Sequence, residues 1–252
     1  MGRSEDGQAI AEAAIVLPGM VFLLLAAVQL TQLQQARILA DSAAFAAART
    51  GIVMNGDPGK MRDAATFALL PAIGPTDSFP AIARTLLRFK AEDAVLAPLG
   101  LSQLRVYVHS PAVSDFSAWG RHLNGQEIDF DDVRPGATDA TLLSLQVRYL
   151  YELKVPFANK LIQTLWMAAK AGVLQGWQGW DLTSPRFGRQ AGPDAVRISR
   201  AVAAGVTAQA TPEGISLAAL VAAGRAGRYY LPVEAFYTMR MQSNPYRKWA
   251  RQ

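Results

Sequence analysis

Few residues in this 252-residue chain have the types and spacing that chemistry needs. The two histidines are His109 and His122, with Asp115, Asp129, Asp131 and Asp132 near them in sequence. A metal site would favour close pairing, such as two histidines one helical turn apart. A wide gap across a predicted loop reads instead as two solvent-exposed imidazoles. The acidic patch from Glu127 to Asp132 lacks the alternating Asp spacing, the glycine and the distal Glu of a calcium loop. With no cysteine, disulfides, thiolate chemistry and cysteine metal sites are excluded. The sequence has no nucleophile-elbow Gly-x-Ser-x-Gly, no phosphate-binding glycine loop and no dinucleotide fingerprint. We therefore expect no catalytic residue, no metal and no cofactor. Trp177 and Trp180, in the stretch Gly176 to Asp181, could line a sugar or partner surface, or could pack against the domain. The net charge is +5, and the Lys and Arg residues are scattered, so nucleic acid is not an expected partner. The basic residues Arg240, Arg247, Lys248 and Arg251 read as a solvated end.

The ionisable group most out of place is Glu12. It is the one charge among the twenty residues from Ala9 to Val28. Twenty helical residues rise about 30 Å, the thickness of a hydrocarbon core. A carboxylate at mid-membrane costs roughly 2.5–3.5 kcal/mol, and less near the interface. Either a partner offsets that cost or Glu12 snorkels to the headgroups. Pro18 interrupts the run, which a membrane helix tolerates better than a soluble one. The helical pattern continues past Val28, with apolar positions at Leu30, Leu33, Ile38, Ala40, Ala43, Ala44 and Ala47. Gly51 is the predicted C-cap. A helix from Gln8 to Thr50 would be about 64 Å long, half in lipid and half projecting. Hydrophobic residues at 51% and charged residues at 18% lean the same way. A cleaved signal peptide would want a positive n-region, whereas Arg3 is followed by Glu5 and Asp6. A plain signal anchor remains open, and loop charge does not set the orientation.

The order Gly7-Gln-Ala-Ile-Ala-Glu12, then Ala-Ala-Ile-Val-Leu-Pro-Gly-Met-Val-Phe-Leu-Leu-Leu, resembles the type IV prepilin class. More closely it looks like the TadE-like proteins of tight-adherence (Flp) pilus systems. Ala40-Asp-Ser-Ala-Ala-Phe-Ala-Ala-Ala-Arg-Thr-Gly51 is similar to the Ala-rich helix that follows in that family. The resemblance covers about the first fifty residues. It implies cleavage by a prepilin peptidase between Gly7 and Gln8. It also implies pairing of Glu12 with the new N-terminus of a neighbouring subunit, which would set axial register. Ile15, Leu17, Pro18, Val21 and Leu24 would then be packing residues. Gln8 stands where many pilins have Phe or Met, so N-methylation and major-pilin behaviour are not implied.

Downstream, Asn55-Gly-Asp-Pro-Gly59 reads as a loop. Helices are predicted over Lys60 to Leu70 and Ala81 to Ala97, with a break from Pro71 to Pro80. Leu104, Val106 and Val108 alternate with Arg105, Tyr107 and His109. Leu143 to Val155 alternates almost without interruption, predicting a strand with one buried face. A third strand is predicted at Val233 to Met241. Further helices are predicted over Phe157 to Ala171, over Asp194 to Gln209, and from the Thr211-Pro-Glu start to about Gly224.

The expected fold class is α+β: a long N-terminal transmembrane and amphipathic helix packed on a small antiparallel sheet, with additional helices, in a pilin-like arrangement. The expected parts are a leader over 1–7, the helix over 8–50 and an extracytoplasmic domain over 51–252. The expected function is that of a pseudopilin or minor pilin, not an enzyme. It would be a single-pass inner-membrane protein with its N-terminus in the cytoplasm. Its partners would be the inner membrane, other pilin-like subunits, prepilin peptidase and the pilus assembly platform. The rival is a membrane-anchored extracytoplasmic enzyme or carbohydrate-binding module. A pocket around Trp177, Trp180 and His122 would favour that reading.

Overall fold

The computed structural model describes residues 3–170 and 217–250. The chain opens with α1, one helix from Arg3–Val53. It folds back through a tight turn into α2 (Pro58–Ile73), followed by α3 (Phe79–Leu96). Then come β1 (Leu104–Ser110), the short helices α4 (Val113–Trp119) and α5 (Ala137–Ala140), and β2 (Leu142–Glu152). After these lie α6 (Ala158–Lys170), α7 (Leu217–Arg225) and β3 (Tyr230–Arg240). The strands form an antiparallel sheet in the order β1-β2-β3, with β2 in the middle. The fold is α+β, with the long helix laid across a small sheet. Trp177, Trp180, the helix expected over Asp194 to Gln209 and the Thr211 helix start lie outside the described residues.

The core begins with a stripe on α1. Leu33, Ala36, Ala40, Ala43, Ala44, Ala47, Ala48 and Ile52 are all buried. Steps of three and four keep them on one side of the helix. Because most are alanines, the helix backbone can lie close to its neighbours. The facing sheet residues are Leu143, Leu145, Val147, Tyr149 and Tyr151 of β2, with Leu231, Val233 and Ala235 of β3. Ile38, predicted on the same stripe, is instead 67% exposed. Five residues after Leu33, it has rotated about 140° away from it.

Gly51 does not end α1. It sits inside the helix, and a Cβ there would come within 2.5 Å of Met61 Sδ and 2.6 Å of Leu143 Cδ2. Its role is to let α1 approach α2 and β2 closely. The left-handed positions that turn the chain are Asn55 (φ 58°) and Gly56 (φ 78°). Asp57 then caps α2 by accepting from the Gly59 and Lys60 amides at 2.8 and 3.4 Å, with Pro58 in the first turn. Cap and proline together move the helix start ahead of the predicted Lys60. Pro71 is carried within the last turn of α2, so the break runs from Gly74 to Ser78 instead of starting at Pro71.

β2 also departs from expectation. It ends at Glu152, and its second face is covered too: Gln146, Arg148 and Leu150 are 8%, 6% and 1% exposed. A middle strand has neighbours on both edges, and Leu150 lies beneath a second cluster with Leu96, Leu101, Leu220 and Tyr230. Strand alternation in sequence marks one buried face and is blind to cover supplied on the other.

Candidate assembly site on the N-terminal stem

The first half of α1 is unlike the rest of the molecule. Ile15 is 78% exposed, Leu17 60%, Val21 53% and Leu24 65%. A soluble protein would place such a run in its core, where each large aliphatic side chain contributes about 1.5–3 kcal/mol. Glu12–Val53 is long and apolar enough to cross a membrane, and only 6% of its most apolar window is buried. A core helix would be mostly buried. Pro18 leaves the Ala14 carbonyl without its usual partner four residues on, yet the helix runs through it without interruption.

Glu12 lies on this exposed stem. The backbone at Gly7 and Gln8 is helical. Gln8 and Glu12 are therefore four residues apart on one face, about 6 Å from each other. The five predicted packing residues share the stem, whereas His109 and His122 lie in the head.

Gln29 begins the second half of α1. It is fully buried, and its Oε1 accepts from the Val155 amide at 2.8 Å. Its Nε2 makes no hydrogen bond of good geometry among the described residues. Tyr151 donates to Gln32 Oε1 over a long 3.5 Å. Burial pushes the Tyr151 phenol up, with the Gln29 amide opposing the shift. Sequence reasoning did not single out Gln29, although it continues the buried stripe: 29, 33, 36 and 40 fall in steps of four, three and four. At the other end of α1, Ile52 O accepts from the Gln242 amide at 3.0 Å and from Ser243 Oγ at 2.8 Å. The upper half of α1 is thus tied to the domain at both ends.

The other candidate residues are dispersed. His109 is not a free imidazole: it is half-buried on β1, with Nε2 3.0 Å from Gln146 Oε1 and its ring stacked at 6.2 Å on Phe236. Side chains of β2 and β3 cover an imidazole that a loop would leave open. His122 is exposed on the turn Arg121–Leu123. Among the described residues no group of three His, Asp or Glu is placed to hold a metal ion. The acidic patch makes its own contacts, with Asp129 accepting from the Asp131 amide at 3.1 Å and Asp132 clasping Arg134. The Arg134 hydrogen bonds hold the Asp132 carboxyl down at about 2. A cleft of about 420 Å³ opens beside β1, lined by Arg62, Asp93, Ser102, Arg105 and Tyr107 among others, with His122 outside it. Its carboxylate is already committed: Asp93 pairs with Arg62 at 2.9 Å and accepts from the Gln103 amide at 2.7 Å.

These features leave the stem as the site to be assigned. Residues 7–49 match the TadE-like protein family. The TadE-like segment runs from Gly7 through Glu12 and the exposed apolar stem into the alanine stripe beneath the sheet. It suggests involvement in a Tad pilus system, and the one apolar helix is consistent with a single-pass membrane anchor. No curated protein and no solved structure matches the chain.

Proposed function

We propose that this TadE-like chain is a pseudopilin or minor-pilin-like component that assembles, primes or caps a tight-adherence pilus or related secretion fibre. The observation carrying this reading is the double use of α1, a single 51-residue helix. Its first half exposes apolar side chains, and its second half forms the domain core. Such a helix couples a membrane-embedded contact surface rigidly to a folded head, as a fibre subunit needs.

In this reading prepilin peptidase cuts after Gly7, and Gln8 becomes the mature N-terminus. Residues 1–7 are the leader, the helix anchors the protein in the inner membrane with its N-terminus in the cytoplasm, and the head lies outside. The Glu12 carboxylate pairs with the Gln8 ammonium of a neighbouring subunit, which offsets the cost of carrying a charge in the stem. Ile15, Leu17, Pro18, Val21 and Leu24 pack against neighbouring stems. The role is structural and not enzymatic, and at 252 residues the subunit suits low copy number.

The deciding experiment is the mature N-terminus of the membrane-fraction protein, by mass spectrometry, with and without prepilin peptidase. A start at Gln8 only when the peptidase is present supports the reading. A start at Met1, or near Val28, overturns it.

A further inference from the structure

α6 lies at the end of the domain nearest the stem. Val155, three residues before it, donates to Gln29 at 2.8 Å. Leu153 N–H donates to Tyr229 O at 2.8 Å, and Gln163 Nε2 to Tyr230 O at 3.2 Å. Gln29 is the first residue past the apolar run, and Thr31, Gln32, Gln34 and Gln35 follow it with groups that favour water. The start of α6 is therefore level with the point where α1 leaves its apolar surroundings.

The inner side of α6 is accounted for. Ala158 is fully buried, Gln163 is 1% exposed, and Ile162 and Trp166 pack on the core. The outer side is apolar as well: Phe157 is 76% exposed, Leu161 43% and Leu165 45%. Leu161 and Leu165, four apart, share one face of the helix, and Phe157 stands immediately before its first residue. Thr164, between them, donates its hydroxyl to Lys160 O at 2.7 Å, so it makes little demand on water. Lys160 is exposed next to Leu161 in sequence, Lys154 is exposed three residues before Phe157, and residues 158–170 include no acidic side chain. Phe157 itself has φ 64°, a left-handed conformation that a bulky side chain rarely adopts. It turns the chain from the Gln29 contact into α6 while leaving its ring exposed.

We infer that α6 is an interfacial helix. Phe157, Leu161 and Leu165 enter the boundary between headgroups and acyl chains of the bilayer that α1 crosses, and Lys154 and Lys160 meet anionic headgroups. The partner is a negatively charged lipid surface. This rests on α1 spanning the membrane, and it adds a second point of attachment that limits how far the head can swing about its stem.

The chain has no cysteine, so single cysteines can be labelled without background. The test uses full-length Leu161→Cys, Leu24→Cys and Val133→Cys, each carrying an environment-sensitive fluorophore. Each is reconstituted in phosphatidylcholine vesicles with and without phosphatidylglycerol. Val133 is 88% exposed; Phe130, three residues before it, donates to Asn244, whose carbonyl accepts from Asn55 just past the far end of α1, and that end is about 36 Å along the helix from Gln29. Leu161 is expected to be quenched by a lipid nitroxide near the headgroup more than by one at the acyl terminus, and several-fold less by aqueous iodide than Val133. Leu24 is expected to respond to the deep nitroxide. Removing phosphatidylglycerol, or introducing Lys154→Glu with Lys160→Glu, is expected to weaken lipid quenching at Leu161. If Leu24 is quenched by lipid while Leu161 behaves like Val133, the interfacial helix is overturned and the span stands. If Leu161 is shielded from both iodide and lipid, a protein neighbour covers this face of α6 and the inference is overturned. If Leu24 is not quenched by lipid, the span itself fails and the inference falls with it.

Discussion

Gln29 Oε1 accepts the Val155 amide at 2.8 Å, joining the base of the stem to the segment that follows the central strand. Both groups are buried, so neither has water as a substitute. Replacing Gln29 with Ala leaves the Val155 N–H without its partner. The expected loss is about 1–3 kcal/mol of domain stability, read as a lowered melting midpoint in detergent.

At the other end of α1, Gly51→Ala forces a Cβ against Met61 and Leu143. Overpacking of this kind costs typically 1–3 kcal/mol. Gly19, on the exposed stem, has no atom within 4 Å of a built Cβ. Gly19→Ala is expected to leave the head's stability unchanged. Chemical denaturation of the two variants side by side separates a packing effect from a general intolerance of alanine for glycine.

Arg228 grips Glu152 with two hydrogen bonds, at 2.7 and 3.0 Å, where β2 ends. Both side chains are less than one-third exposed. Hydrogen bonds to charged groups contribute about 1.5–3 kcal/mol, so Arg228→Ala is expected to destabilise by that order. Hydrogen exchange should show the added opening at the Glu152 and Tyr230 amides first.

Asp132 is expected to titrate near 2 because Arg134 donates to its carboxylate. The depressed value means that the contact contributes above the ordinary carboxylate range and is lost as pH falls through about 2. Carboxyl carbon chemical shifts should show this midpoint. In Arg134→Ala it should move up towards the ordinary 3.8.

Glu12→Leu removes the one charge of the stem's apolar run. Membrane insertion is expected to persist or improve, because a cost of the order of 2–3 kcal/mol is removed. Recovery of fibre subunits with the protein by affinity pull-down is expected to fall by about tenfold or more. Retained recovery would refute the register role of Glu12.

The strongest sequence signals were those with a fixed period. Alternation at Leu104 to Val108, at Leu143 to Val155 and at Val233 to Met241 located the three strands among the described residues, because β2 and β3 turn an apolar face to α1 and β1 turns one to α2. The alanine spacing on α1 likewise anticipated most of the buried stripe. What escaped was whatever depends on a distant partner. Gly51 looked like a helix stop because its neighbours, Met61 and Leu143, are far away in sequence. Gln146 and Arg148 looked exposed because the pattern of one strand carries no record of what lies on its far side. Gln29 drew no notice, because its partner Val155 is far away in sequence, although its spacing from Leu33 places it on the core stripe. The stem motif around Gly7 and Glu12 was legible as a resemblance because it is local and contiguous.

The middle strand carries a consequence for how this protein is made. β2 receives one partner, β1, from residues already synthesised, but its other edge waits for β3, about eighty residues downstream. At typical elongation rates that interval is on the order of 4–16 s. Throughout it, the part of the α1 stripe that packs on β3 and half the hydrogen-bonding capacity of β2 stand open. The head therefore closes late and from its far end of sequence, and a sticky half-sheet must be sheltered until β3 arrives.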